Sequence, residues 1–191
     1  MYKITFYFAA LILSLSACQG DGKQNAHSQQ HHSSKHRHDH QGHSPYAGQQ
    51  KRDLKAFPPE VIKQLKEGSG MPFYGMAKPA ELNSYPGPKH ILQVKEKLGF
   101  SDKQEKQIQQ IFDSMNRQAE ALGDSLLANE RKIEQAFSSN QITRKKLREL
   151  VNRSGTIYGR LRFAHLQAHL KAKQVLNEEQ IQQYDEWRGY K

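Results

Sequence analysis

SDKQEKQIQQIFDSMNRQAEALGDSLLANERKIEQAF, residues 101–137, is the stretch whose reading decides the fold. Ser101 can cap a helix, and Gln104, three residues on, can return a hydrogen bond to it in a capping box. Behind this start Ile108, Phe112, Met115, Ala119, Leu122, Leu126, Ile133 and Phe137 recur at spacings of mostly three and four, which aligns them on one face of an α-helix. Ser138-Ser139-Asn140 breaks the run. The pattern resumes at Thr143 and carries Leu147, Val151, Tyr158, Leu161, Ala168, Ala172 and Val175 toward Leu176. Two arms of roughly 34–36 residues, each about 50 Å long at 1.5 Å per residue, then read as an antiparallel αα-hairpin with a narrow apolar seam.

Working outward, the same start signal returns at Asn177, with Gln180 at the third position. Leu176 and Ile181 can staple that helix start, and the helix runs to about Arg188 with Tyr184 and Trp187 on one face. Upstream, Pro58-Pro59-Glu60 opens a short helix that Gly68 closes, and residues 88–98 (PKHILQVKEKL) form another that Gly99 stops. Between them, residues 68–88 hold four of the seven prolines and four glycines together with Met71, Phe73, Tyr74, Met76 and Tyr85. That is too apolar for a linker and too broken for a helix, so it reads as an ordered loop laid over the bundle or a partner chain. Met71, Phe73, Tyr74 and Met76 are its candidate client or partner surface. No period-two alternation of β-branched residues occurs from residue 51 onward. The expected fold is all-α: a long antiparallel hairpin with short flanking helices. A lone hairpin buries little of its second face, so an elongated homodimer is expected as well.

The N-terminal residues form an address. Lys3 precedes a fourteen-residue apolar run at 4–17, shorter than the about 20 residues a spanning helix needs and of the length of a signal-peptide core. It ends in Leu15-Ser16-Ala17-Cys18, which resembles the bacterial lipobox. The resemblance implies cleavage before Cys18, a diacylglycerol on that cysteine and, with Gln19 rather than Asp behind it, an outer-membrane anchor facing the periplasm. The domain organisation is then a signal peptide at 1–17, a lipid-anchored tether at 18–50 and a helical domain at 51–191.

Residues 19–50 contain His27, His31, His32, His36, His38, His40 and His43 among Gln, Ser, Gly and Lys. They have too few large apolar side chains to offset the entropy of ordering, so a disordered tether is expected. Neutral imidazole suits zinc, nickel and copper, and the alternation His36-Arg37-His38-Asp39-His40 puts three imidazoles on one side of an extended chain. A weak, exchangeable site is expected there, with His31 and His32 as further ligands.

The 191 residues carry a formal charge of +10, and the mean hydropathy of −0.89 is too polar for a polytopic membrane protein. One cysteine excludes a disulfide framework. Spread by window, the charge is +1 over 19–50, +4 over 51–100 and +4 over 101–191. No basic block stands out, and an exported chain rarely meets nucleic acid, so anionic lipid, acidic clients or simply a solvated face are the fitting readings. The sequence has no P-loop, dinucleotide fingerprint, nucleophile elbow or HExxH. It also has no nucleophile–base arrangement, so neither an enzyme nor an organic cofactor is expected.

Phe100-Ser101-Asp102-Lys103-Gln104 and Leu176-Asn177-Glu178-Glu179-Gln180 are one device repeated 76 residues apart. Both resemble the LTxxQ motif of the Spy/CpxP group of periplasmic proteins, which includes ATP-independent chaperones, a zinc-resistance-associated protein and metal sensors. In this chain Ser101 and Asn177 stand where the motif has Thr, and Gln104 and Gln180 supply its glutamine. The stretches Ala80-Glu81-Leu82-Asn83, Tyr85-Pro86-Gly87-Pro88-Lys89-His90 and Arg188-Gly189-Tyr190 are similar to a subgroup described as periplasmic heavy-metal sensors. The resemblance covers about residues 46–191 and implies a helical hairpin that dimerises into a curved cradle.

His165 and His169, four apart on the second arm, face the same way and can reach one ion. With the hairpin turn near residue 140, Asp113 on the facing arm falls roughly opposite Gln167 as a third ligand, and His90 is the other candidate. The function these residues suggest is a lipid-anchored periplasmic protein that buffers or senses zinc, nickel or copper in envelope stress or metal resistance. It would work with an envelope-stress signalling partner or, in the alternative reading, act as an ATP-independent chaperone holding unfolded clients on the cradle.

Overall fold

Residues 44–69 and 75–191 are described by the structure, a computed structural model. They form six α-helices: α1 (Pro59–Lys66), α2 (Lys78–Glu81), α3 (Pro88–Gln93), α4 (Asp102–Ser138), α5 (Arg144–Lys173) and α6 (Glu178–Arg188). A single 3-10 turn, Gln49–Lys51, precedes them, and no strand occurs among the described residues. The two long helices pack antiparallel along each other, while α1 and α3 lie against α4 and α2 against α5.

Local chemistry sets the helix limits. Ser101 Oγ accepts the Gln104 amide at 3.3 Å, and Gln104 Oε1 accepts the Ser101 amide at 3.2 Å. Asn177 and Gln180 repeat the arrangement at 2.8 and 3.1 Å. The two boxes also grip each other. Gln104 Nε2 donates to Gln180 Oε1 at 2.8 Å and to the Val175 carbonyl at 3.0 Å, and Gln180 Nε2 donates to the Leu98 carbonyl at 3.1 Å. Each glutamine thus caps its own helix and satisfies a backbone carbonyl just before the other motif.

The core has two parts. At the base of the hairpin Ile91, Val94, Leu98, Ile108, Ala172, Leu176 and Tyr184 pack together. Midway along, Leu54, Leu65, Met76, Ala119, Leu126, Leu127, Ile157 and Leu161 do the same. The flanking segments therefore cover one face of the hairpin. Toward the tip a polar contact links the arms: the buried Asn129 donates through Nδ2 to the Leu150 carbonyl at 2.8 Å and to Ser154 Oγ at 2.9 Å.

Several expectations are corrected. Met76 is buried in the middle core, so it is no client surface. Phe137 and Val151 are half exposed rather than in the seam, and Ala136 and Ile157 are buried instead; a 3.6-residue repeat does not hold a strict heptad stripe on one side. The helix from Pro88 ends at Gln93, and turns occupy the stretch up to Gly99, whose φ is +58. The second arm ends at Lys173 rather than Leu176. The loop between the short helices contains α2. Cys18, the tether histidines and Met71, Phe73 and Tyr74 lie outside the described residues.

Gly123 has a clear reason to be glycine. A Cβ there would stand 2.1 Å from the Leu65 carbonyl oxygen at the end of α1, whereas one on Gly155 would meet nothing. Gly123→Ala is expected to push α1 off α4 and lower stability by about 2–3 kcal/mol. Gly155→Ala should raise it by up to about 1 kcal/mol. Urea midpoints of the two variants check both signs, and a neutral Gly123→Ala would show that this close approach does not exist.

Candidate functional site

The polar centre of the molecule is Glu81, the last residue of α2, in a position that hydropathy alone gives no reason to bury. Its side chain is enclosed where α2, the 82–87 loop, α5 and α6 meet, and the residue is 7 % exposed. Tyr184 of α6, fully buried, donates its hydroxyl to Oε1. The Gly87 amide donates to Oε2 at 3.0 Å, and the Tyr190 hydroxyl approaches Oε1 at 3.3 Å. Arg188 Nε lies 3.5 Å from Oε1 and donates to the Tyr190 hydroxyl at 3.1 Å.

Two imidazoles flank this carboxylate. His90 Nδ1 stands 3.4 Å from Oε1, and His169 Nδ1 stands 3.7 Å from Oε2. Burial by itself pushes the Glu81 carboxyl up. The His90 imidazole, the Tyr184 hydroxyl and the Gly87 amide outweigh it and hold the pKa down at about 2. Tyr184 is pushed well above the usual phenol range by burial and by Glu81 itself.

His169 is placed by the loop. Its Nδ1 lies 2.7 Å from the Tyr85 carbonyl oxygen. A carbonyl can only accept, so Nδ1 carries the proton and the lone pair of the neutral ring sits on Nε2. Gly87 makes the approach possible: a Cβ there would lie 2.9 Å from His169 Cε1 and 3.0 Å from Nε2. One turn away, His165 is 3 % exposed, and its buried Nε2 has no hydrogen-bond partner among the described residues. Burial, and secondarily the neighbouring His169, push the His165 pKa down to about 4. Burial also lowers that of His169. Both rings are therefore neutral at pH 7, the state in which imidazole can act as a ligand.

Of the sequence-derived candidates, His165, His169 and His90 fall in this region and Asp113 does not. Asp113 accepts a hydrogen bond from Gln109 Nε2 at 2.8 Å along its own helix. The carboxylate beside the histidines is Glu81, which the folding of the 82–87 loop delivers and helical register does not reveal. Glu81 also lies between His90 and His169, one on each oxygen, rather than converging with them on a common point. Among the described residues no group of three or more His, Cys, Asp or Glu is arranged to hold a metal ion.

A second buried carboxylate completes the corner. Asp185 of α6 accepts from Ser84 Oγ at 2.5 Å and from Lys191 Nζ at 2.7 Å. Lys173 Nζ sits 3.8 Å from the centre of the Tyr85 ring. The 82–87 loop is thus fixed from α5, from α6 and from the residues that follow α6.

These features define an all-helical hairpin protein whose base is closed by two mutually bonded capping boxes. The model of the LTXXQ motif family protein matches residues 87–188, the span that holds both boxes, and the chain belongs to this LTXXQ motif family. Proteins of the family are exported to the periplasm and are not enzymes. None of the curated proteins and none of the solved structures matches the chain.

Proposed function

We propose that the protein is a lipid-anchored periplasmic metal-binding protein that buffers or senses zinc, nickel or copper, with the metal as cargo rather than resident cofactor. The observation that carries this reading is the His165 ring: neutral, buried, with an Nε2 that has no partner among the described residues, one helical turn from His169. Burying a polar atom without a partner is unfavourable by about 1–3 kcal/mol, and a ligand role would account for its being there. His169 adds the second-sphere bond that metal-ligating histidines usually make, from Nδ1 to a backbone carbonyl. Two imidazoles leave several coordination positions of zinc open. Affinity should therefore be modest, with water completing the shell.

Calorimetric zinc titration tests this in a full chain whose seven tether histidines are changed to serine. Saturable binding near one ion per chain, or one per dimer, is expected, with at least a tenfold loss in His165→Ala. Binding that ignores His165→Ala would confine the metal to the tether and place the chaperone reading first. That second reading has its own support in the half-exposed Phe163, Leu170 and Val151 on α5, which clients could cover. It predicts suppression of client aggregation that salt weakens and a chelator leaves unchanged.

A further inference from the structure

The +4 carried by residues 101–191 is divided very unevenly. α4 holds seven acidic and five basic residues, whereas α5 holds nine basic residues against the single acid Glu149. Lys145, Arg148, Arg153, Arg160, Arg162 and Lys171 are all exposed, and none of them forms an ion pair among the described residues.

The placement of these cations is also ordered. Gly155 and Gly159 have open space where a Cβ would stand, so their side of α5 faces outward. At 100° per residue, Phe163 and Leu170 continue that side, and they are 61 % and 54 % exposed. Arg153, Arg160 and Lys171 fall on one flank of this apolar midline and Arg162 on the other, while Lys145 and Arg148 lie close to it. The result is a rod about 45 Å long, with cations from its first residue to its last and the exposed Val151, Phe163 and Leu170 standing out of it.

We propose that this outward face of α5 docks flat on an anionic phospholipid bilayer. Charge complementarity selects a negative partner, and cations that run from Arg144 to Lys173 over a helix about 45 Å long extend further than a compact acidic patch. Phe163 and Leu170 have the size and exposure to enter the acyl boundary, as the apolar residues of interfacial helices do. No described helix is long and apolar enough to cross a membrane, so the contact is peripheral. The proposal rests in part on the lipid-anchor reading, because an acylated Cys18 would hold the domain near a bilayer and raise its effective concentration there.

The experiment uses the full acylated chain carrying Thr156→Cys, an exposed midline position, labelled with a fluorophore and reconstituted in vesicles with bromine-labelled acyl chains. With roughly 30 % phosphatidylglycerol the label should be quenched at least twofold. Quenching should disappear in pure phosphatidylcholine, in about 0.5 M salt and in the Arg160→Glu/Arg162→Glu variant. The salt arm needs no further substitution, so it stands even if that variant folds poorly. Equal quenching without anionic lipid, or none with it, would overturn the proposal. So would a label shielded by polyglutamate but indifferent to lipid, which would assign the face to acidic protein partners. Acylation of Cys18 is read separately by intact mass, so failure of the anchor and failure of the docking face give different results.

Discussion

Glu81→Ala is expected to remove about 3–5 kcal/mol of stability, a large share of what a domain of this size possesses. The variant would leave the Tyr184 hydroxyl and the Gly87 amide without their acceptor in a buried corner, and it would release the loop that places His169. Urea unfolding at pH 7 checks the size of the loss. Glu81→Gln keeps the volume and one acceptor oxygen, so about half the effect is expected.

The pH dependence of the same group separates its charge from its bulk. The folded pKa of about 2 lies below the ordinary 4.5, so the stabilisation is fully present above pH 4.5. It is lost as the pH falls from there toward 2. That acid limb should be missing from Glu81→Ala. A variant that unfolds within 1 kcal/mol of the parent would mean that the corner is held by packing alone.

His165→Leu should have opposite effects on stability and on metal binding. In chelated, metal-free buffer it should stabilise the chain by about 1 kcal/mol at pH 7, because it removes a buried, unpartnered nitrogen and keeps an apolar side chain of similar size. The gain should grow on acidification. The folded pKa of about 4 against an ordinary 6.5 means that the unfolded chain takes up the proton first. Stability is full above pH 6.5 and declines by about 3 kcal/mol toward pH 4. The leucine variant should lack that decline while losing the zinc response. A variant that is both less stable and still metal-responsive would make His165 an ordinary packing residue.

The hairpin was legible because its signals are local. Capping boxes at Ser101 and Asn177 are fixed by residues three apart, and apolar repeats over thirty or more residues leave little choice of element. The details that failed share a cause in geometry that spacing cannot convey. Phe137 and Val151 fall off the seam because a stripe spaced by three and four drifts around a helix of 3.6 residues per turn. Distance from the hairpin turn gives Asp113 its level along the arm but not the side on which its carboxylate points, and that carboxylate accepts from Gln109 on its own helix. His165 and His169 were recognisable as a pair, but their burial was not, since it depends on α2 and the 82–87 loop folding over them. The burial of Glu81 carried no local signal, because its partners come from positions 88 to 109 residues away or from Gly87 and His90 just beyond the following turn. The charge on α5 was hidden by averaging it with α4.

The crossed glutamines at the base have a consequence for how such a molecule can vary. Gln104 and Gln180 tie together the two chain positions between which the whole hairpin is inserted, so the arms form a loop fastened at its neck. Residues added to or removed from both arms near Ser138–Thr143 would alter the reach of the tip and leave the neck, the Glu81 corner and the helix starts unchanged. Reach and anchorage are thereby separable traits, and a chain of this design can be lengthened or shortened without being refolded.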